Sequence, residues 1–171
     1  ICSDKTGTLT QNRMTVVDLW TPSGDRDLAL TIGALCCDAR LEDGSDGLRA
    51  VGDPTEGALV LAAARAGLKK DALEREMPRV GEVPFDSGRK LMSTVHPKPG
   101  GGYRVMVKGA PDVLLEKCTG LWVGKRQTMD PGRKGKILQV NEEMARKALR
   151  VLGVAFRDVD RLPEEINAAA L

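Results

Sequence analysis

Asp4-Lys5-Thr6-Gly7-Thr8-Leu9-Thr10 gathers a carboxylate nucleophile, a cation and three hydroxyls into one short turn behind the apolar strand end at residues 1–3. An unassisted aspartate attacks a phosphoryl group poorly, because it needs in-line positioning and donors or a metal to neutralise the three equatorial oxygens. Lys5, Thr6, Thr8 and nearby backbone N–H groups can supply part of that, and Gly7 lets the backbone approach closely. The local chemistry is that of a phosphate-handling turn. The plain alternative is a polar Gly-Thr turn capping a strand.

Further along, Glu56 follows Asp53 by three residues, and local chemistry explains it as half of a capping box. Phe85 is one of two phenylalanines and sits beside polar residues, although core packing also accounts for it. Lys108 stands between an apolar strand and a helix start marked by Pro111, where free N–H groups and the helix dipole favour an anion; a solvated lysine is the alternative. The run Gly100-Gly101-Gly102 lacks the following helix and Lys-Ser/Thr of a phosphate loop, and reads as a hairpin turn.

The elements that must position these groups follow from periodicity and punctuation. Met14 to Trp20 is apolar and β-branched enough for a strand, and a helix is expected from about Leu28 to Cys37. The polar run Arg40 to Gly47 reads as a surface loop. Asp53, Pro54 and Glu56 at N-cap, N1 and N3 open a helix that runs to about Ala66 and stops at Gly67. Strands are expected at Val83–Phe85, Arg89–Val95 and Tyr103–Val107, with a turn from Pro97 to Gly102. A helix follows to about Cys118, a strand over Leu121–Met129, a helix capped by Asn141 and running to about Arg150, and a short strand over Val151–Phe156. That order indicates an α/β (α+β) fold, mainly antiparallel sheet flanked by helices.

Composition narrows the partners. The 171 residues carry 26 Lys and Arg against 24 acidic residues, an excess too small to suggest nucleic-acid or anionic-membrane binding. Cys2, Cys36, Cys37 and Cys118 show no metal-ligand spacing, and a reduced setting is expected. No run approaches the ~20 apolar residues of a membrane helix. His96, the single histidine, follows a strand and reads as a surface residue. The abrupt start at Ile1, without a Met, suggests a piece of a longer protein.

The string Ile1-Cys2-Ser3-Asp4-Lys5-Thr6-Gly7-Thr8-Leu9-Thr10 resembles the phosphorylation signature of P-type cation-transporting ATPases. The resemblance implies that Asp4 takes the γ-phosphoryl of ATP as an aspartyl phosphate, that Lys5 holds the transferred group, and that Thr6 helps bind phosphate and, with Asp4, Mg²⁺. It extends over most of the chain. Gly52-Asp53-Pro54-Thr55-Glu56-Gly57-Ala58-Leu59 looks like the family's acidic helix-start motif, in which the acid at Glu56 contacts adenine. Phe85-Asp86-Ser87-Gly88-Arg89-Lys90-Leu91-Met92-Ser93 is similar to its Phe-x-Ser-x-Arg-Lys-x-Met-Ser strand pair. The resemblance implies that Phe85 stacks on adenine, Lys90 approaches phosphates or ribose, and Met92 lines the pocket, although a methionine at strand spacing is otherwise core. Lys108-Gly109-Ala110 matches a motif whose lysine lies at the base of the nucleotide pocket, with Gly109 permitting close approach. Arg150, in a segment resembling the family's late strand, is implied to reach the ATP phosphates, and otherwise suits the C-terminal end of a helix dipole.

The motif set looks most like the type II pumps, the calcium and sodium/potassium group. It implies residues 1–14 as an edge of the phosphorylation domain and 15–171 as the nucleotide-binding domain, cut before its last strand and hinge. ATP and Mg²⁺ are the expected ligands, and the remaining phosphorylation, actuator and membrane domains the expected partners. The transported cation would bind outside this segment, and the cytoplasmic face of a membrane is the expected location. A haloacid-dehalogenase-type phosphatase is the rival, but it needs a second aspartate two positions after the nucleophile, where this chain has Thr6. A catalytically silent nucleotide-binding module is the third reading.

Overall fold

The computed structural model describes residues 14–44 and 47–169. Asp4, Lys5 and Thr6 lie outside the described residues. In chain order the elements are α1 (Arg26–Leu35), β1 (Arg40–Gly44), β2 (Gly47–Val51), α2 (Pro54–Arg65), α3 (Lys70–Glu76), β3 (Gly81–Asp86), β4 (Leu91–Pro97), β5 (Tyr103–Gly109), α4 (Pro111–Lys117), β6 (Gly120–Trp122), β7 (Arg126–Thr128), α5 (Pro131–Arg146) and β8 (Gly153–Val159). The main sheet has the order β3-β4-β5-β8, antiparallel throughout, and two small hairpins, β1-β2 and β6-β7, stand beside it. The fold is a mixed α/β arrangement of an antiparallel sheet flanked by helices.

Strand register sorts the side chains onto two faces. Met92 pairs with Lys108 and Lys108 with Val154, while Thr94 pairs with Met106 and Met106 with Phe156. Onto that face α1 lays Ile32, Leu35 and Cys36, which pack with Met92 and Met106 as the main core. The other face carries Leu91, Val95 and Val105, and α4 closes against it where Leu114 and Pro111 approach Gly153. β4 therefore runs between two covered faces and two flanking strands, and every residue from Leu91 to His96 is buried.

That placement corrects the surface reading of His96, which is 1% exposed. Its Nδ1 lies 2.8 Å from the Met77 carbonyl and its Nε2 3.0 Å from the Thr94 hydroxyl. A carbonyl only accepts, so Nδ1 donates and Nε2 accepts from Thr94, which satisfies the neutral ring. Burial pushes its pKa below the ordinary 6.5 and the Arg79 and Lys70 charges act the same way, against the Met77 bond and Glu74. Because the folded value is the lower one, the neutral ring's contribution is complete above pH 6.5 and is lost as pH falls through the folded value, at up to about 1.4 kcal/mol per pH unit. Urea midpoints between pH 7 and 5.5 are expected to fall with acidity in the native chain and to stay level in His96→Gln; an equal slope in both would refute this origin.

Four other expectations change. Residues 14–20 form no strand. The polar run at 40–47 is mostly the hairpin β1-β2, with Leu41 opposite Ala50, because α2 packs on it and gives its inner residues a surface to bury. The stretch 121–129 is the hairpin β6-β7, turned at Gly124 with φ +79. The late helix begins ten residues earlier than Asn141 and ends at Arg146, capped by Asp130, whose Oδ1 accepts from Arg133 N at 2.8 Å. Asn141 is an interior residue of α5.

Candidate functional site

α2 starts where local signals place it. Asp53 Oδ1 accepts from Thr55 N at 2.8 Å and Glu56 N at 3.1 Å, and Pro54 occupies the first helical position. Burial acts to raise the Asp53 carboxyl, but those amides and the charge of Arg150 outweigh it and hold it below its usual value. Arg150 itself is exposed, in the segment after α5 and before β8, so it is no helix C-terminal residue.

The Glu56 side chain does not complete a capping box. It turns away from Asp53 and across to the sheet, where its Oε1 accepts from Lys108 Nζ. Its Oε2 accepts from the backbone N–H of Asp38 at 2.8 Å and of Ala39 at 3.1 Å. Helix capping thus belongs to Asp53 alone. Lys108 is likewise not turned toward the start of α4: on the α1 side of the sheet its ammonium contacts Glu56, lies 3.2 Å from Met92 Sδ, and lies 3.7 Å from Cys37 Sγ. Burial acts to lower the Lys108 ammonium; its hydrogen bond to the Glu56 carboxylate and that group's charge act the other way, and it is held above its ordinary value as a cation. Burial pushes the Cys37 thiol up to about 12, which leaves it neutral and inert.

Phe85 is brought to the same place by an irregular strand. Val83 pairs with Ser93 and Asp86 with Leu91, so Pro84 and Phe85 together oppose the single residue Met92. This is a bulge, which re-aims side chains, and on an edge strand the proline costs no ladder bond. Phe85 is 58% exposed, whereas Met92, opposite it on the neighbouring strand, is buried. The row Phe85, Met92, Lys108 thus runs from an exposed ring to a buried cation paired with Glu56.

Lys90 and Gly109 meet at the sheet's end. Lys90 has φ +57 and an exposed side chain, and its carbonyl accepts from Ala110 N at 3.1 Å. A Cβ on Gly109 would collide with that carbonyl and with Leu91, so only glycine lets the two turns close. An exposed aromatic ring in the same cross-strand row as a buried carboxylate–ammonium pair suits a planar heterocycle with donor edges. Lys90 and Arg150 are exposed cations, Arg150 close enough to Asp53 for its charge to act on that carboxyl. Among the described residues no group of three or more His, Cys, Asp or Glu is placed to hold a metal ion.

The sequence reading missed the segment that holds Glu56. Lys70 Nζ donates to the Cys37 carbonyl at 2.6 Å and the Ala39 carbonyl at 2.8 Å. Arg79 Nη2 donates to Cys37 O at 2.6 Å and Leu35 O at 3.2 Å, and its Nη1 to Asp38 Oδ1 at 2.7 Å and Glu82 Oε2 at 2.6 Å. One signal was present: Lys70 stands three and seven residues before Leu73 and Met77, on the apolar face of its own helix.

A family model described as P-type ATPase, cytoplasmic domain N, matches residues 27–170. The chain is 41% identical over 179 residues to Calcium-transporting ATPase 1 of Lactococcus lactis subsp. lactis, covering 98% of this chain and 20% of that protein. It is 40% identical over 186 residues to Calcium-transporting ATPase 1 of Bacillus cereus, covering 97% and 20%. To the Calcium-transporting ATPase of Bacillus subtilis it is 34% identical over 188 residues, covering 93% and 21%. The chain spans about a fifth of the length of these relatives, and among its described residues no helix is long and apolar enough to cross a membrane.

Proposed function

The chain belongs to the P-type ATPases as their cytoplasmic domain N, and from that membership we propose that it is the part of a cation pump that grips ATP and delivers its γ-phosphate to Asp4. The observation that carries the reading is the cross-strand row of Phe85, Met92 and Lys108, which starts at an exposed ring and ends on the buried Glu56–Lys108 pair. Phe85 stacks against the base, Met92 lines the contact, and the Glu56–Lys108 pair presents an acceptor and a donor to its polar edge. Lys90 and Arg150 draw the phosphates outward, and Gly109 keeps the Lys90 turn close to the sheet.

In the intact pump Asp4 attacks the γ-phosphorus in line and forms an acyl phosphate, Lys5 and Thr6 bind the transferred oxygens, and ADP leaves. Asp4 and Thr6 would hold Mg²⁺, which would supply charge neutralisation at the transferred group. The acyl phosphate drives the transporter between states facing opposite sides of the membrane, with the cation bound in membrane helices that other parts of the protein contribute. Calcium is the cation named for the relatives described above, and this chain is proposed to serve a pump of that type.

The isolated chain is expected to bind ATP weakly without hydrolysing it, because most of the phosphorylation machinery lies elsewhere. Isothermal titration and a phosphate-release assay test the two halves. Release that vanishes in Asp4→Ala would overturn the second half, and absence of any ATP heat or shift the first.

A further inference from the structure

Cys36–Ala39 joins α1 to β1, and one peptide unit there is engaged from both sides. The Cys37 carbonyl accepts from Lys70 and Arg79, and the Asp38 N–H of the same unit donates to Glu56 Oε2. Lys70 is 5% exposed, donates to Cys37 O and Ala39 O, and pairs with the Glu74 carboxylate at 3.6 Å. Neither cation touches Glu56, Phe85 or Lys108 in any contact described above. Yet a peptide whose oxygen is held by two cations cannot flip, and its polarised N–H is a better donor at the other end. Glu56 Oε2 is thereby anchored by two amides, leaving Oε1 as the edge that meets Lys108 and faces the proposed base.

We propose that Lys70 and Arg79 are positioning residues for base selection, acting through the Cys37–Asp38 peptide on the Glu56 carboxylate. This rests on the reading that Glu56 meets the base. A carboxylate oxygen only accepts, so a fixed Glu56 favours a purine bearing an amine over one bearing a carbonyl at the same position. With the peptide free to turn, Glu56 loses its anchor and the preference fades, while ring stacking and phosphate attraction persist.

ATP and inosine triphosphate, which differ at that position, are the probes. The native chain is expected to prefer ATP by about tenfold or more, folded Lys70→Met by about twofold or less, and Lys70→Arg to regain the preference. A loss of folded protein weakens both nucleotides equally and leaves their ratio untouched, which separates positioning from mere stability. The Asp38 amide proton resonance should also move upfield in Lys70→Met. Should Lys70→Met not fold, Arg79→Gln carries the same expected loss of preference and the same overturning result. A native chain that binds both nucleotides alike removes Glu56 from the base and overturns the reading of the site itself. A native chain that discriminates, with a folded variant that discriminates equally, overturns the positioning role alone.

Discussion

Phe85→Ala is expected to weaken ATP binding about 5- to 150-fold, equivalent to the ~1–3 kcal/mol of a base stacked on an aromatic ring, while the urea midpoint hardly moves. The two readouts separate because the ring is 58% exposed and stands on a bulged edge strand, so its removal uncovers little core. A surface substitution away from caps and networks changes stability by about 0.5 kcal/mol or less. A core phenylalanine would behave in the opposite way, costing about 3–5 kcal/mol with no separate effect on affinity. Titration of both proteins with ATP, beside their denaturation curves, decides it: unchanged affinity in a folded variant removes the ring from the site.

Lys108→Met is expected to destabilise the domain by about 3–5 kcal/mol, more than loss of one hydrogen bond explains. The side chains of Lys108 and Glu56 are 7% and 14% exposed, so removing the cation strands a carboxylate in a mostly dry setting. Methionine keeps the stem's packing, which isolates the charge. Adding Glu56→Gln should restore much of the loss, because the amide oxygen still accepts from Asp38 and Ala39 while the stranded charge is gone. Urea denaturation of the native chain, both single variants and the double variant closes the cycle. A double variant no more stable than Lys108→Met would show that the pair is not coupled. All three variants should also lose ATP affinity, since the pair lies at the floor of the proposed pocket.

Features set by neighbouring residues were legible in the chain. The start of α2 is written in Asp53, Pro54 and the amides of Thr55 and Glu56, all within three residues. The strands β4 and β5 show as apolar alternation around a glycine turn, and Glu56 and Lys108, singled out by separate motifs, meet as an ion pair. Not every local signal was read, since α5 opens on Asp130 and Pro131 and not at Asn141, but two failures depended on a distant surface. The run at 40–47 is polar enough for a loop, and it becomes a hairpin only because α2 lies against it. His96 reads as a surface residue just past a strand, and is buried because β4 extends through it with neighbours on both edges and cover on both faces.

By itself the sequence determined the family, the mixed α/β class and the start of α2, because propensity, capping and motif spacing act over a few residues. Only the tertiary structure decided which partner each buried charge takes. Glu56 finds Lys108 across 52 positions and the Asp38 amide across 18, and Lys70 reaches Cys37 across 33. Buried charge must be compensated wherever the packed chain brings an opposite charge or a backbone dipole, and local spacing carries no record of that meeting.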